Sequence, residues 1–308
     1  MDHGPPVSLS QAAPRPDRLM RLATYASVAL AIFLAVIKIF AWQATGSIAV
    51  LSSLVDSLLD AAASLINLLA VRQALEPADA EHRFGHGKAE PLAALGQAAF
   101  VAGSGILIVL QAGGNLITPR PLDHPDIGIA VMLISIAATF ALVRFQAYVV
   151  RRSGSVVIRA DRLHYASDIL MNGGVLASLV LSAWLKLYWI DAVCGIAIAV
   201  YMLVGSGAIA RSALDMLMDR ELTDDVRARI LDIVREHPDV VAVHDLRTRS
   251  SGPMIFMQLH LVLPAEITLS RAHVISDAIE HRLLETFPGA EILIHQDPTD
   301  APEVEIQR

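Results

Sequence analysis

The sequence is poor in cysteine and in charged residues, and both shortages limit what the chain can be. Cys194 is the single cysteine among 308 residues, which excludes an intramolecular disulfide and a thiolate metal cluster. Because Cys194 lies in an apolar run, we interpret it as a small buried hydrophobic residue. Charged residues make up 18% of the chain and hydrophobic residues 54%, whereas ordinary soluble domains are about 25% charged. This composition indicates a membrane protein with a soluble part.

The hydrophobic residues are concentrated in six segments, each long enough to cross a hydrocarbon core of roughly 30 Å. They occupy about residues 20–44, 48–72, 90–117, 126–150, 156–184 and 189–211. We therefore predict a membrane α-helical bundle of six transmembrane helices over residues 20–212. Residues 1–19 are rich in proline and polar residues and lack the apolar core and cleavage site of a secretory signal. We expect them to form a disordered cytoplasmic tail.

Basic residues in the short loops predict the orientation of this bundle. One side collects Arg15, Arg18, Arg21, Arg72, Arg83, Lys88, Arg151, Arg152 and Arg159. The other side has only Arg120 and Lys186, with Lys38 near a helix end where its side chain can reach the interface. This asymmetry predicts that both termini face the cytoplasm.

Residues 213–298 have the pattern of a soluble α+β domain, followed by a tail at 299–308. From Ala213 onward there are 18 acidic and 9 basic residues, a net charge of −9 against +2 for the preceding part. Such an acidic domain is unsuited to nucleic acid. Helices at 223–237 and 269–287 and strands at 240–249, 254–263 and 291–296 are predicted, in the order α-β-β-α-β. This order favours an open-faced sandwich with the helices on one face of the sheet.

Two pairs of ionisable residues lie inside predicted spans. Asp56 and Asp60 are four residues apart in the second span, and His164 and Asp168 repeat that spacing in the fifth. A carboxylate inside hydrocarbon is costly and usually marks an ion pathway. Each pair lies on one helix face, and together they offer the four oxygen and nitrogen donors of a tetrahedral metal site. The alternative, that they are buried polar groups hydrogen-bonded for packing, fits two matching pairs poorly.

Two further groups of residues have ligand-like spacing. Asp79, His82 and His86 lie in the loop after the second span, where histidine is also common without a metal. A hairpin with a three-residue loop at 251–253 would place His244 opposite His260, while His295 and Asp297 share a face of the last strand. These four predict a binuclear or dimer-bridging site, although surface histidines on a solvated sheet are an alternative.

Taken together, the motifs resemble those of the cation diffusion facilitator family. They are SxxDSxxD at 53–60, HxxxD at 164–168, FGHGKAE at 84–90 and IHQDP at 294–298. The resemblance implies a homodimer in a bacterial inner membrane, with a cytoplasmic, metallochaperone-like domain. It also implies that His273 and Gln296 belong to the cytoplasmic metal site, and that Lys88 pairs with Asp219 across the dimer.

The expected function is export of a divalent metal in exchange for protons. An imidazole among the donors favours Zn²⁺ and Cd²⁺ over Mn²⁺ or Mg²⁺, and Fe²⁺ is also compatible. Protons and metal compete for the same lone pairs near neutral pH. A passive metal channel with a metal-sensing cytoplasmic domain is the main alternative. An intramembrane metallohydrolase is disfavoured, because the chain has no HExxH motif and four protein donors leave no position for water. We therefore expect no enzyme activity, no organic cofactor, and Zn²⁺, Cd²⁺ or Fe²⁺ as both substrate and regulatory ion.

Overall fold

The computed structural model describes residues 16–45, 48–117, 125–185 and 189–300. Internal contacts divide the chain into two compact units, with the division between Ala213 and Leu214. Three of the basic loop residues, Arg15, Arg120 and Lys186, lie outside the described residues, as does the side chain of Cys194. Most of the two predicted tails also lies outside them.

Six long helices form the first unit, the last of which continues past Ala213, and they confirm the predicted helical bundle. They are α1 (Pro16–Thr45), α2 (Ile48–Ala74), α3 (Ala89–Ile117), α4 (Pro125–Ser153), α5 (Val156–Leu185) and α6 (Trp189–Leu217). Within the described residues, all of these except α5 contain a stretch long and apolar enough to cross a membrane. Helix α5 has 30 residues, or about 45 Å at 1.5 Å per residue, but its first half contains Arg159, Asp161 and Arg162. Helix α1 begins at Pro16, so residues 16–19 of the predicted tail are helical.

A tight turn sets the start of α5, the helix that carries the second predicted donor pair. Gly154 has a φ of 68°, a conformation that suits glycine and ends α4. Ser155 Oγ then accepts a hydrogen bond from the backbone N–H of Ile158 at 3.2 Å. Glu90 of α3, which is buried, accepts from the backbone N–H of Val156 at 2.7 Å. These bonds satisfy orphan donors of the first turn and tie α5 to α3.

A buried carboxylate links α5 to three other helices. Asp161 is 3% exposed. It accepts hydrogen bonds from Ser27 of α1 at 2.7 Å, Asn67 of α2 at 3.0 Å and Gln146 of α4 at 2.7 Å. Since a buried carboxylate needs donors on its oxygens, this network fixes α5 relative to α1, α2 and α4.

Glycines allow α6 to approach its neighbours closely. A Cβ atom on Gly205 would lie 2.8 Å from a methyl carbon of Leu163 in α5, and one on Gly105 of α3 would lie 3.3 Å from the Leu203 side chain in α6. Small residues at such crossings are typical of helices packed in lipid.

The second unit has two helices on one face of a three-stranded sheet, which confirms the predicted α+β domain. Its elements are α7 (Asp224–Arg235), β1 (Ala242–Ser251), β2 (Met254–Leu263), α8 (Leu269–Thr286) and β3 (Glu291–Pro298). The strand order is β1-β2-β3, with β1 antiparallel and β3 parallel to β2.

Alternation along β2 separates the core of this unit from its open face. The core contains Ile230, Val234, Met257, Leu259, Leu261, Leu263, Ala272, Ile275, Ile279 and Leu283. The members from β2 are alternate residues, so His260 lies on the opposite face of the sheet. The histidines of the sheet are thereby kept away from the apolar core.

The hairpin brings His244 opposite His260, but not through the predicted turn. Ser251 pairs with Met254, so the three-residue loop predicted at 251–253 is wrong and the register near the turn differs by one residue. An irregularity just after His244 shifts the register back, and Asp245 there has a φ of 47°. A bulge of this kind adds one residue to one strand, which restores the predicted pair.

Candidate metal centres

Three donors from α2 and α5 meet inside the helical unit. Single donor atoms of Asp60, His164 and Asp168 all lie within 4.8 Å of one another. His164 Nε2 lies 3.0 Å from Asp60 Oδ1 and 3.7 Å from Asp168 Oδ2. Donors around a tetrahedral ion with bonds near 2.0 Å are about 3.3 Å apart. The arrangement can therefore hold a divalent ion with little movement.

Asp56 faces the same cavity but is not part of this close group. The cavity measures about 450 Å³ and is lined by residues of several helices, among them Asp56, Asp60, His164 and Asp168. Asp56 is exposed to it, whereas His164 is buried. A fourth donor is thus within the cavity, one helical turn before Asp60.

Lys38 also lines this cavity, which corrects its interpretation as a residue that reaches for the membrane interface. Its Nζ donates to Ser57 Oγ at 2.6 Å, and Ser57 is 2% exposed. The sequence did not predict that Lys38 lines the cavity, because a single lysine in α1 gives no information about which residues face it from other helices.

The second group, in the loop between α2 and α3, is assembled by local structure. The backbone N–H groups of His82 and Glu81 donate to Asp79 Oδ1 at 2.6 and 2.9 Å. The bond from His82 is the main reason that the pKa of Asp79 is lowered below its usual range. His82 Nδ1 and His86 Nε2 each lie 3.4 Å from an oxygen of Asp79. All three residues offer donor atoms within 4.8 Å of one another.

The third group lies on the open face of the sheet. His244, His260 and Asp297 offer donor atoms within 4.8 Å of one another. Asp297 Oδ2 lies 2.8 Å from His260 Nδ1 and 3.3 Å from His244 Nε2, while Asp297 Oδ1 lies 3.3 Å from His295 Nε2. Asp245, the bulge residue, adds an oxygen 3.8 Å from His260 Nε2. Sequence reasoning missed Asp245 because strict alternation would turn it to the other face.

The two residues assigned to this site only by resemblance have other contacts. His273 lies in α8, and its Nε2 is 3.7 Å from Asp277. Gln296 donates to Ser276 of α8 at 2.8 Å, which is consistent with its position between His295 and Asp297 on the strand. Their part in metal binding stays a prediction.

The predicted pair of Lys88 and Asp219 would form between two copies of the chain. Within one chain, Asp219 Oδ1 lies 3.3 Å from Arg249 Nη1, and the guanidinium of Arg249 also lies 4.2 Å from the centre of the Phe256 ring. Asp219 has a φ of 55°. A contact with Lys88 would therefore add to an existing ion pair.

Membrane-length helices that arrange carboxylate and imidazole donors around a cavity define a membrane transporter of cations. The cation efflux transmembrane domain matches residues 24–218, and the cation efflux protein cytoplasmic domain matches residues 222–299. The chain belongs to the cation efflux family, the cation diffusion facilitators, which confirms the resemblance seen in its motifs.

Relatives match over almost their whole length. The cation-efflux pump FieF of Yersinia enterocolitica is 49% identical over 286 residues, which are 93% of this chain and 95% of that protein. FieF of Yersinia pestis is 50% identical over 285 residues, 92% of this chain and 95% of that one. A solved chain of CzrB is 34% identical and covers 25% of this chain and 96% of its own, with a TM-score of 0.24, too low for a comparison of folds.

Proposed function

We propose that this chain exports Zn²⁺, and the related ions Cd²⁺ and Fe²⁺, from the cytoplasm in exchange for protons. The observation that carries the proposal is the group of Asp60, His164 and Asp168, whose donor atoms converge beside a cavity between membrane-length helices. Two oxygens and a nitrogen at these spacings suit borderline divalent ions. Asp56 is the fourth donor in this proposal.

The chemistry of these donors supports proton exchange. A carboxylate or imidazole binds metal only through a lone pair that a proton can also occupy. If the cavity opens alternately to each side, metal leaves where protons are abundant and loads from the cytoplasm. The membrane potential adds about 2.3 kcal/mol per net charge moved for each 100 mV. We place residues 20–212 in a bacterial inner membrane, with both termini and the domain at 213–298 in the cytoplasm.

The test is metal uptake into proteoliposomes under an imposed pH gradient, measured for Zn²⁺, Cd²⁺, Fe²⁺ and Mn²⁺. Uphill zinc accumulation that collapses when the gradient is dissipated is expected. Zinc movement that only follows its own gradient would instead identify a passive channel. Liposomes without protein give the leak rate.

His164 is expected to set metal preference. Replacing it with aspartate gives an all-oxygen donor set, which Mn²⁺ tolerates better than an imidazole-containing one. For His164→Asp we expect the rate ratio of Mn²⁺ to Zn²⁺ to rise roughly tenfold or more. The ratio is measured in the same proteoliposomes. An unchanged ratio would contradict the role of His164 as a metal donor.

We also propose that the chain works as a homodimer whose cytoplasmic domains are held together by metal, assisted by Lys88 and Asp219. The support is the group of His244, His260 and Asp297 on the open sheet face. Metal that binds only the folded state at 100-fold over its Kd stabilises it by about 2.7 kcal/mol.

Removing this cytoplasmic group is expected to abolish that stabilisation. In the double variant His260→Ala/His295→Ala, added zinc should no longer raise the melting temperature of the cytoplasmic domain. The curve of transport rate against zinc should move to higher concentration. His281→Ala is the matched control, because His281 is an exposed histidine whose Nδ1 lies 2.7 Å from the Asp277 carbonyl oxygen. If transport rate and melting temperature depend on zinc as they do in the control, the cytoplasmic metal group has no regulatory role.

A further inference from the structure

Among the described residues that line the cavity beside the proposed transport site, there are one lysine and three aspartates. Lys38 of α1 lines the same space as Asp56, Asp60 and Asp168. Lys38 is half-buried. A charged ammonium inside a membrane-spanning bundle is costly, so its presence there indicates a function.

A buried hydroxyl holds this ammonium in place. Lys38 Nζ lies 2.6 Å from Ser57 Oγ, and Ser57 is buried on α2, directly after Asp56 and three residues before Asp60. Because the hydroxyl accepts from the ammonium, the positive charge is tethered to the helix that carries two of the aspartates.

We propose that Lys38 determines the metal affinity of the transport site by setting the charge of the cavity. With the imidazole of His164 neutral, as metal binding requires, the three ionised carboxylates and the one ammonium of the described lining give a net charge of −2. A divalent ion neutralises this charge. The ammonium also repels the bound ion, which weakens binding and speeds release.

This inference rests on the proposed transport site and concerns how tightly that site holds metal. Charges interact strongly in a poorly solvated cavity, since the effective dielectric constant there is far below that of water. Without the ammonium, the cavity would have one more net negative charge. Metal would then bind more tightly and leave more slowly.

The test compares Lys38→Met, Lys38→Gln and Lys38→Arg in full-length protein. In proteoliposomes with an imposed pH gradient, we expect the neutral variants to lower both the KM for zinc and the maximal rate, each by roughly tenfold. Lys38→Arg keeps the charge and should stay within about threefold of the parent KM. A merely structural role would lower the maximal rate without lowering KM, and the arginine variant would not rescue it.

Equilibrium binding separates this inference from the transport proposal. Cd²⁺ affinity is measured by calorimetry on detergent-purified protein in a His86→Ala/His260→Ala background, which removes donors of the other two groups. Tighter binding by Lys38→Met or Lys38→Gln supports the inference whether or not the parent protein transports. Unchanged or weaker binding by whichever neutral variant folds overturns it. Failure of the parent to accumulate zinc would count against the transport proposal alone.

Discussion

Replacing Asp60 with asparagine is expected to abolish proton-driven metal transport while leaving the protein folded. Asp60 Oδ1 lies 3.0 Å from His164 Nε2, at the centre of the proposed donor group. Asparagine has nearly the same shape but no negative charge, so the site loses one of its anionic donors. Loss of an outer-shell partner alone costs roughly 10–100-fold in metal affinity. We expect a direct donor to cost at least about 100-fold in kcat/KM.

The measurement is the initial rate of zinc uptake into proteoliposomes, together with the melting temperature of the purified protein. Asp232→Asn is the control, because Asp232 is an exposed acid in α7. Asp56→Asn tests whether the fourth donor is needed, since Asp56 lines the cavity but lies outside the close group. If Asp60→Asn transports at the parent rate, the assignment of this cavity as the transport site is wrong.

Of the substitutions proposed here, Asp161→Ala is expected to lower the free energy of unfolding most. Asp161 is buried and accepts hydrogen bonds from Ser27, Asn67 and Gln146 on three other helices. Alanine removes the acceptor of all three donors. Ser27 can still donate to the Ala23 carbonyl and Gln146 to Ser27, but these weaker bonds replace bonds to a charged group, and an unsatisfied buried donor costs about 1–3 kcal/mol. We expect the free energy of unfolding to fall by about 3 kcal/mol or more, measured by thermal or denaturant unfolding in detergent.

Two comparisons separate this acceptor role from a simple loss of volume. Asp161→Asn conserves the volume but directs an amide N–H₂ at other donors, so it should also be destabilising. Glu76→Ala removes an exposed loop carboxylate of the same unit and should change stability by less than about 0.5 kcal/mol. If Asp161→Asn matches the parent in stability, the network does not need a carboxylate.

The fold was largely predictable from the sequence, because local patterns decide it. Apolar runs of more than 20 residues predicted the helices of the bundle, and alternation predicted the strands. Helix boundaries differ from the prediction by a few residues, as at Pro16 and Leu217, because hydrophobicity marks the membrane-spanning part of a helix and not its ends. The i,i+4 spacing of Asp56 with Asp60, and of His164 with Asp168, placed each pair on one helix face.

Such local patterns did not predict the contacts between helices and strands. The pair of His244 and His260 was predicted from a turn that the structure corrects, and a bulge at Asp245 restores it. Lys38 was expected near the membrane interface, yet it donates to Ser57 beside the transport cavity. Asp161 lies one helical turn before His164. No local pattern indicates that its carboxylate accepts hydrogen bonds from three other helices.

By itself, the sequence determined that this chain is a membrane protein with a soluble α+β domain, and which side chains could bind metal. Hydrophobicity and spacing are properties of single segments, because the free energy of transferring a segment into the membrane depends on its own residues. The tertiary structure decided which donors of α2 and α5 converge, with Asp60 and Asp168 within reach of His164 and Asp56 one turn away. It also decided that Lys38 shares their cavity, because the burial of one charge depends on the partners that other helices supply.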